Sequence, residues 1–543
     1  MNPPSPSPVA VDPFVRDRLP ARAQWPQLRY DLPELQLPDR LNLVERLLDG
    51  AIAKGWGERP MLRSPQIVLT YADAKERVDR IAQVLVEDLR LVPGQRVLLR
   101  GGNSIGMALA WLAVVKAGLV AVATMPLLRA KELGDIIAKA QPTVALCDAK
   151  LLDELKAAQT QHAVLHTIVP FNLMNEPGSL AVRSASKDGN FRACDTAADD
   201  IAMMAFTSGT TGKPKAAVHS HRDILAACEC WPRHVLRPQP DDIVMGSPPL
   251  AFTFGLGGLL IFPMWAGASV YFPDAPYTPQ TMVQLMREVG CTTCYTAPTF
   301  YRQMAPFARE MGIPTLKNCV SAGEGLPDAT RQLWKDATGL EMLDGIGATE
   351  MFHIFISSAG SEVRRGAIGK VVPGYTAKVV DDEGHEVPRG TIGKLAVIGP
   401  TGCRYLDDTR QANYVKGGWN FPGDAFMQDA DGYFFYQARA DDMIITAGYN
   451  VGGPEVEDAL LKHPAVAECG VIGKPDDERG MIVKAFVVLK PGHAADDAMT
   501  KALQDHVKAT IAPFKYPREV QFVPSLPRTE TGKLQRFKLR ELA

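Results

Sequence analysis

Ile201-Ala202-Met203-Met204-Ala205-Phe206 runs straight into Thr207-Ser208-Gly209-Thr210-Thr211-Gly212-Lys213-Pro214-Lys215. The first six residues are apolar and read as a buried strand. The six that follow are all small, so backbone amides and hydroxyls can close around phosphate oxygens while the lysines add positive charge. It is not a Walker A loop, because Thr207 stands where the first glycine belongs and Pro214 replaces the final hydroxyl. A Ser/Thr/Gly loop taken alone is more often a plain surface turn. The Gly-Lys-Pro-Lys ending favours the phosphate reading here.

Outward from that strand and loop, short apolar runs at 97–100, 144–147 and 164–169 also read as strands, and 71–86 reads as a helix with Val78, Ile81, Ala82 and Leu85 on one face. Strand–helix alternation of this kind predicts an α/β fold of parallel sheets covered by helices. The stretch 368–398 differs. Runs at 377–381 and 393–398 are separated by Asp381-Asp382-Glu383-Gly384 and Pro388-Arg389-Gly390, which are hairpin and turn signals. Beyond Arg439 the pattern changes again: helices at 456–462 and 499–509 and strands at 466–473 and 483–489 predict a small α+β domain of its own. The boundary is placed at 440, giving domains 1–440 and 441–543.

Bulk properties narrow the function classes. At 543 residues the chain holds roughly three or four folding units. A net charge of −2 gives no basic footprint for nucleic acid. Residues 1–20 are proline-rich and charged, without the apolar core of a secretory leader. Residues 108–128 and 249–272 are apolar enough to need a membrane check, but Gly118 cuts the first. Gly255, Gly257, Gly258, Pro263 and Gly267 break the second. The expectation is a cytoplasmic enzyme with no membrane partner. Of nine cysteines, Cys228, Cys230, Cys291 and Cys294 invite a zinc reading, but the first pair is spaced too tightly, and buried thiols are expected instead.

Three further segments carry chemistry. In Asp344-Gly345-Ile346-Gly347-Ala348-Thr349-Glu350, a hydroxyl and a carboxylate follow a glycine-rich turn, a pairing suited to phosphate and Mg²⁺. An acidic helix start is an equally common origin for such a pattern. Trp419-Asn420-Phe421-Pro422-Gly423-Asp424 and Arg439-Ala440-Asp441-Asp442 offer Asp424 and Arg439 to a sugar diol or phosphate, or to a surface ion pair. Pro527-Arg528-Thr529-Glu530-Thr531-Gly532-Lys533-Leu534 places a lysine on a glycine turn near the end of the sequence.

Together and in this order, these segments resemble the adenylate-forming superfamily of acyl-CoA synthetases, luciferases and peptide-synthetase adenylation domains, over about 39–542. The resemblance implies a large N-terminal domain of helix-covered sheets with a β-barrel-like part, and a small C-terminal lid turning on a hinge at Asp441. It implies ATP, Mg²⁺ and coenzyme A as cofactors and an acyl-adenylate intermediate. By it, Thr207, Ser208, Gly209, Thr210, Thr211, Gly212 and Lys213 form the phosphate loop. Gly323, Glu324, Asp344, Gly345 and Ile346 border adenine, with Ile346 standing where many members carry an aromatic residue. Thr349 meets phosphate, Glu350 holds Mg²⁺, and Asp424 and Arg439 bind ribose. Lys533 joins the acid carboxylate to the α-phosphate, and Gly448 and Tyr449 line the thiol tunnel after the lid turns.

Asp-Gly-Ile-Gly-Ala-Thr-Glu-Met-Phe-His-Ile-Phe from Asp344, and the opening around Leu19-Pro20-Ala21-Arg22 and Trp25-Pro26, resemble the benzoate and 2-aminobenzoate CoA ligases. That implies aromatic-acid degradation, with an acid pocket lined by Ala251, Phe252, Phe254, Ala297 and Gly347. His353 lies near the ring in this reading, and a core histidine satisfied by backbone is the weightier expectation. A medium-chain acyl-CoA synthetase and an adenylation enzyme loading a carrier protein are the alternatives. The second would need an acidic residue for an ammonium group, and 248–258 has none. A luciferase-like oxygenase shares these motifs; a non-catalytic nucleotide sensor would be expected to lack Glu350 or Lys533. A homodimer is among the assemblies the resemblance admits.

Overall fold

The computed structural model describes residues 10–207, 214–273, 275–446, 449–476, 479–528 and 533–543, with the side chains of Asp441 and Asn450 left aside. Two helix-covered sheets form the body. The first holds six strands in the order Thr167–Phe171, Val144–Asp148, Arg96–Arg100, Val120–Thr124, Ile201–Thr207 and Lys215–Ser220. All its neighbours are parallel except the last pair, an antiparallel hairpin that closes at Thr207 opposite Lys215. The second sheet has nine strands, parallel through its centre and antiparallel at both margins. Its central strands Ile243–Gly246, Thr293–Thr296, Asn318–Ser321 and Met342–Gly347 run side by side in one direction.

Local sequence explains most of these elements. Thr70 and Asp73 form a reciprocal capping box that starts the helix Tyr71–Gln83. Ser104 caps the apolar helix Ile105–Lys116, which is buried on every side from Met107 onward and leads into the fully buried strand Val120–Thr124. Lys116 is tolerated there because Asp49 and Asp79 neutralise it. In the stretch at 249–272, Gly255, Gly257, Gly258 and Pro263 do not break the chain as expected: 253–266 is one continuous helical run with a wider turn at Gly257–Ile261, and it ends at Gly267, φ 76°, before the strand Ser269–Tyr271. Among the described residues, no helix is long and apolar enough to cross a membrane. The strand expected at 164–169 begins later, at Thr167–Phe171, because 162–165 closes a turn in which Leu165 N–H donates to the His162 carbonyl.

The expected hairpin is Thr376–Val380 paired antiparallel with Ile392–Ile398, part of a six-stranded antiparallel sheet that ends at Phe434–Arg439. It takes the place expected for the barrel-like part. From Ile444 onward a separate five-stranded sheet packs with the helices Gly453–Leu461 and Asp497–Thr510 around its own apolar core. The four cysteines singled out above lie in two different cores, Cys228 and Cys230 in one and Cys291 and Cys294 in another, each a buried free thiol.

Candidate active site

The carboxyl ends of parallel strands are where open α/β sheets leave a crevice for ligands. Here those ends deliver Ala297, the turn at 322–325 and the segment 346–350 to one side of the second sheet, facing the hairpin end at Thr207 and Lys215. The structure thus gathers most of the expected residues on one face. Ser208, Gly209, Thr210, Thr211, Gly212, Lys213 and Gly448 lie outside the described residues, as does the side chain of Asp441, whose backbone belongs to the turn Ala440–Asp442.

Glu350 is only 8% exposed. The Tyr405 hydroxyl donates to its Oε1 at 2.5 Å, and Lys215 Nζ donates to the Tyr405 oxygen at 3.0 Å while standing 3.9 Å from the same Oε1. Burial, with Glu350 beside it, pushes the Tyr405 phenol pKa far up, so the hydroxyl stays a donor. Among the described residues no hydrogen bond or ion pair takes Oε2. One carboxylate oxygen held in place and the other left to the cleft is a donor set that fits Mg²⁺, which takes few carboxylates and completes its shell with phosphate and water. Thr349 precedes it, its carbonyl accepting from His219 Nε2 at 2.8 Å. A carbonyl only accepts, so Nε2 carries the proton, and burial keeps the imidazole neutral by lowering its pKa.

Arg439 donates to Asp424 Oδ1 at 3.2 Å and to the Pro422 carbonyl at 2.9 Å, the two side chains facing each other from paired strand positions. Burial raises the Asp424 pKa, and Arg439 and Lys533 oppose the rise. Asp344 is buried, accepts from the Gly345 N–H at 2.9 Å and stands 3.9 Å from Arg331. Burial still carries its pKa up to about 6. Glu324 accepts from the Thr299 hydroxyl at 2.8 Å and lies 3.5 Å from Arg528; burial pushes its pKa up against those partners.

Lys533 comes from the small domain and reaches this same face. Its side chain stays open at the cleft mouth, yet the surrounding protein removes enough water to lower its pKa. Arg439 lowers it further, while Glu324, Asp424 and Glu350 pull it back up. It lies over Gly323, whose φ of +92° calls for glycine; a Cβ there would stand at ordinary contact distance, 3.6 Å, from Lys533 Cε. Tyr449 is turned away in this arrangement, 57% exposed and stacked on Phe514 with ring centroids 4.7 Å apart.

The residues expected to line the acid pocket lie in apolar surroundings. His353 is buried among rings, with centroids 4.5 Å from Phe262, 5.3 Å from Trp231 and 5.6 Å from Phe254, and Tyr295 closes on Phe254 at 5.8 Å. Gly257 makes this approach possible, since a Cβ there would sit 2.6 Å from the imidazole. The backbone of Phe254 is the polar group facing that ring, but neither imidazole nitrogen meets a partner with hydrogen-bond geometry. His353 is therefore a core histidine held by ring packing, with the Phe254 backbone as the polar group beside it. Its pKa falls to about 3 through burial. Ala251 is buried in the main apolar core of the large domain, Phe252 and Ile346 are half-buried against that core, and Gly347 is exposed. The sequence reading missed Tyr405, His219, Trp231 and Tyr295; Tyr405 and His219 stand beside charged residues, at 404–410 and 221–223, but none belongs to a segment whose pattern points to a nucleotide or an acid.

The AMP-binding enzyme family profile matches residues 51–404 and the AMP-binding enzyme C-terminal domain matches 455–533. The chain belongs to that family. Within it, the chain groups with the AMP-forming acid–CoA ligases: benzoate–CoA ligase of Thauera aromatica is 34% identical over 94% of this chain and 97% of its own. The crystal structure of the anthranilate CoA ligase AuaEII with anthranoyl-AMP superposes with a TM-score of 0.89 at 34% identity, covering 94% of this chain and 99% of that one. A benzoate CoA ligase from Burkholderia xenovorans gives 0.83 at 29% identity over 92% and 100%.

Proposed function

We propose that this chain joins a benzoate-type aromatic acid to coenzyme A through an acyl-adenylate, with 2-aminobenzoate and benzoate as the substrates to be compared first. The position of Lys533 carries the reaction. A lysine of the small domain lies among Glu324, Asp424 and Glu350 of the large one, where acid and nucleotide would meet. In the first step a carboxylate oxygen of the acid bonds to the α-phosphorus of ATP as the bond to the pyrophosphate oxygen breaks. Two anions must approach, and the ammonium of Lys533 offsets their repulsion. Glu350, with Thr349 beside it, would hold Mg²⁺ against the phosphates, and the bound ion would neutralise the leaving pyrophosphate. Asp424 and Arg439 are assigned to the ribose, and Gly323, Glu324, Asp344, Gly345 and Ile346 to the adenine edge. In the second step the thiol sulfur attacks the acyl carbon, AMP leaves and the thiol proton goes to solvent or a base. For this step the small domain turns about Asp441 and brings Gly448 and Tyr449 toward the thiol.

The acid preference rests on the ring cluster around His353. Flat rings suit a flat acid, and the neutral imidazole adds no charge for an ammonium or a second carboxylate to seek. The relatives named above act on such acids. A pocket of this kind discriminates by shape and closed volume, since a methylene alone is worth only about 1–3 kcal/mol. The test compares kcat/KM for benzoate, 2-aminobenzoate, hexanoate and palmitate in CoA-dependent AMP release. The two aromatic acids are expected to lead; a lead for hexanoate or palmitate overturns the aromatic reading and leaves the ligase reaction standing.

A further inference from the structure

We propose that Arg528 is a positioning residue for Lys533, tying the small domain to the large domain beside Lys533 while the adenylate forms. The inference rests on the role given to Lys533 above. Arg528 and Leu534 pair as an antiparallel bridge, and Gln535 N–H donates to the Pro527 carbonyl at 2.9 Å, so Arg528 is held against the residue that follows Lys533. Its guanidinium spans the seam between domains. Nη2 donates to Glu468 of the small domain at 2.9 Å; Nη1 donates to the Thr299 hydroxyl at 3.5 Å and lies 3.5 Å from Glu324 Oε1, both in the large domain.

A planar fork serves both sides of the seam from two separate nitrogens, which the single nitrogen of a lysine does not offer. Glu324 is fixed in turn by the Thr299 hydroxyl at 2.8 Å, and it follows Gly323, the residue Lys533 leans over. Arg528 and Lys533 therefore approach the same short turn of the large domain. A second tie crosses the seam nearby. Asp458 of the small domain accepts from the Ala329 N–H at 3.0 Å, in the first turn of the large-domain helix Asp328–Thr338, where an unpaired amide and the helix dipole both favour a carboxylate. Both ties exist only while the small domain sits in this orientation, so they stabilise the arrangement that holds Lys533 in the cleft and must break before the domain turns.

A misplacement of about 1 Å at a reacting group can cost on the order of 100-fold. Arg528→Ala should accordingly slow acid-dependent pyrophosphate release by about 10- to 100-fold. Conversion of supplied acyl-adenylate to thioester should stay within about twofold, because that step needs the ties broken. Arg528→Lys, which keeps the charge and the Glu468 contact but loses the fork, should recover only part of the first step, and Asp458→Asn should show the same split between steps more weakly. Melting curves of all three check folding, and Arg528→Lys carries the test where Arg528→Ala does not fold. Lys533→Ala is run alongside. If Lys533→Ala cripples the first step while the Arg528 variants leave it intact, or slow both steps equally, the positioning role is wrong. If Lys533→Ala itself spares the first step, the proposed reaction fails instead.

Discussion

Around His353 four aromatic side chains meet with no ion pair among them, all supplied by the large domain. Around Lys533 nearly every group is charged, and the set is complete only when two domains meet. The ring cluster is finished when the large domain folds, because packed rings keep their geometry whatever the small domain does. The nucleotide side holds several buried carboxylates whose charge the fold does not fully compensate, as the raised pKa values of Asp344, Glu324 and Asp424 record. On the proposed function, substrate shape would be read by a rigid wall and chemistry gated by an assembly. Discrimination between acids should survive changes of domain orientation that abolish turnover.

The strongest way to break that comparison is Lys533→Ala. Loss of an electrostatic group aimed at developing charge typically costs roughly 10²–10³ in rate. Pyrophosphate release should fall by that much, while the ratio of rates for benzoate and hexanoate stays as in the parent protein and supplied acyl-adenylate is still converted. A shifted acid preference would show that the two sides are not separable.

Next in size is a pH effect on stability. Asp344 holds its proton in the folded state up to about pH 6, above its ordinary value of 3.8. The folded chain therefore binds more protons than the unfolded chain between these values. Its stability falls as pH rises through that window and stays lowered above it. Asp344→Asn removes the penalty and keeps an oxygen for the Gly345 N–H, while Arg331 retains the Met342 carbonyl at 2.8 Å and Glu341 at 3.7 Å. The variant should be more stable than the parent by up to about 3 kcal/mol at pH 7.5, and the gain should vanish near pH 4. Melting temperatures at both pH values decide it; a difference independent of pH would remove Asp344 from the account.

The smallest effect concerns Tyr405. Without its hydroxyl, Glu350 loses the donor that fixes Oε1, and Tyr405→Phe should weaken metal–nucleotide binding by about tenfold, the scale of one charge-assisted hydrogen bond. Mn²⁺ titration followed by paramagnetic resonance, with ATP present, measures this without turnover. Unchanged Mn²⁺ affinity would mean that Glu350 needs no such support.

How much of this was legible in the sequence follows from how local each signal is. The strand at 144–148 and the hairpin at 376–398 were readable because apolar runs and turn residues lie within a few positions of one another. The strand expected at 164–169 slipped because a turn through His162 and Leu165 consumed its first residues. Lys533, Asp424, Arg439 and Glu350 stood out as chemistry-bearing types in ordered segments. Their supports did not. Tyr405 meets Glu350 across 55 positions and His219 meets Thr349 across 130. The fork of Arg528 reaches Thr299 across 229. Nothing in the neighbourhood of a tyrosine or histidine says which distant group will fold against it.

Phe352 has a consequence for anyone who would redesign this site. It is fully buried at φ 71° and ψ −53°, a strained γ-turn conformation for a residue with a side chain. Its ring lies edge-on to His219, which holds the Thr349 carbonyl, and also borders His353. The left-handed twist at this one residue couples the turn bearing Glu350 to the ring cluster proposed to face the acid. Glycine would relax the backbone and remove the ring; any other residue keeps the strain and changes both neighbours. Libraries that vary 349–353 to admit new acids will therefore select for ATP handling at the same time, and a specificity graft should carry the whole segment across as one piece.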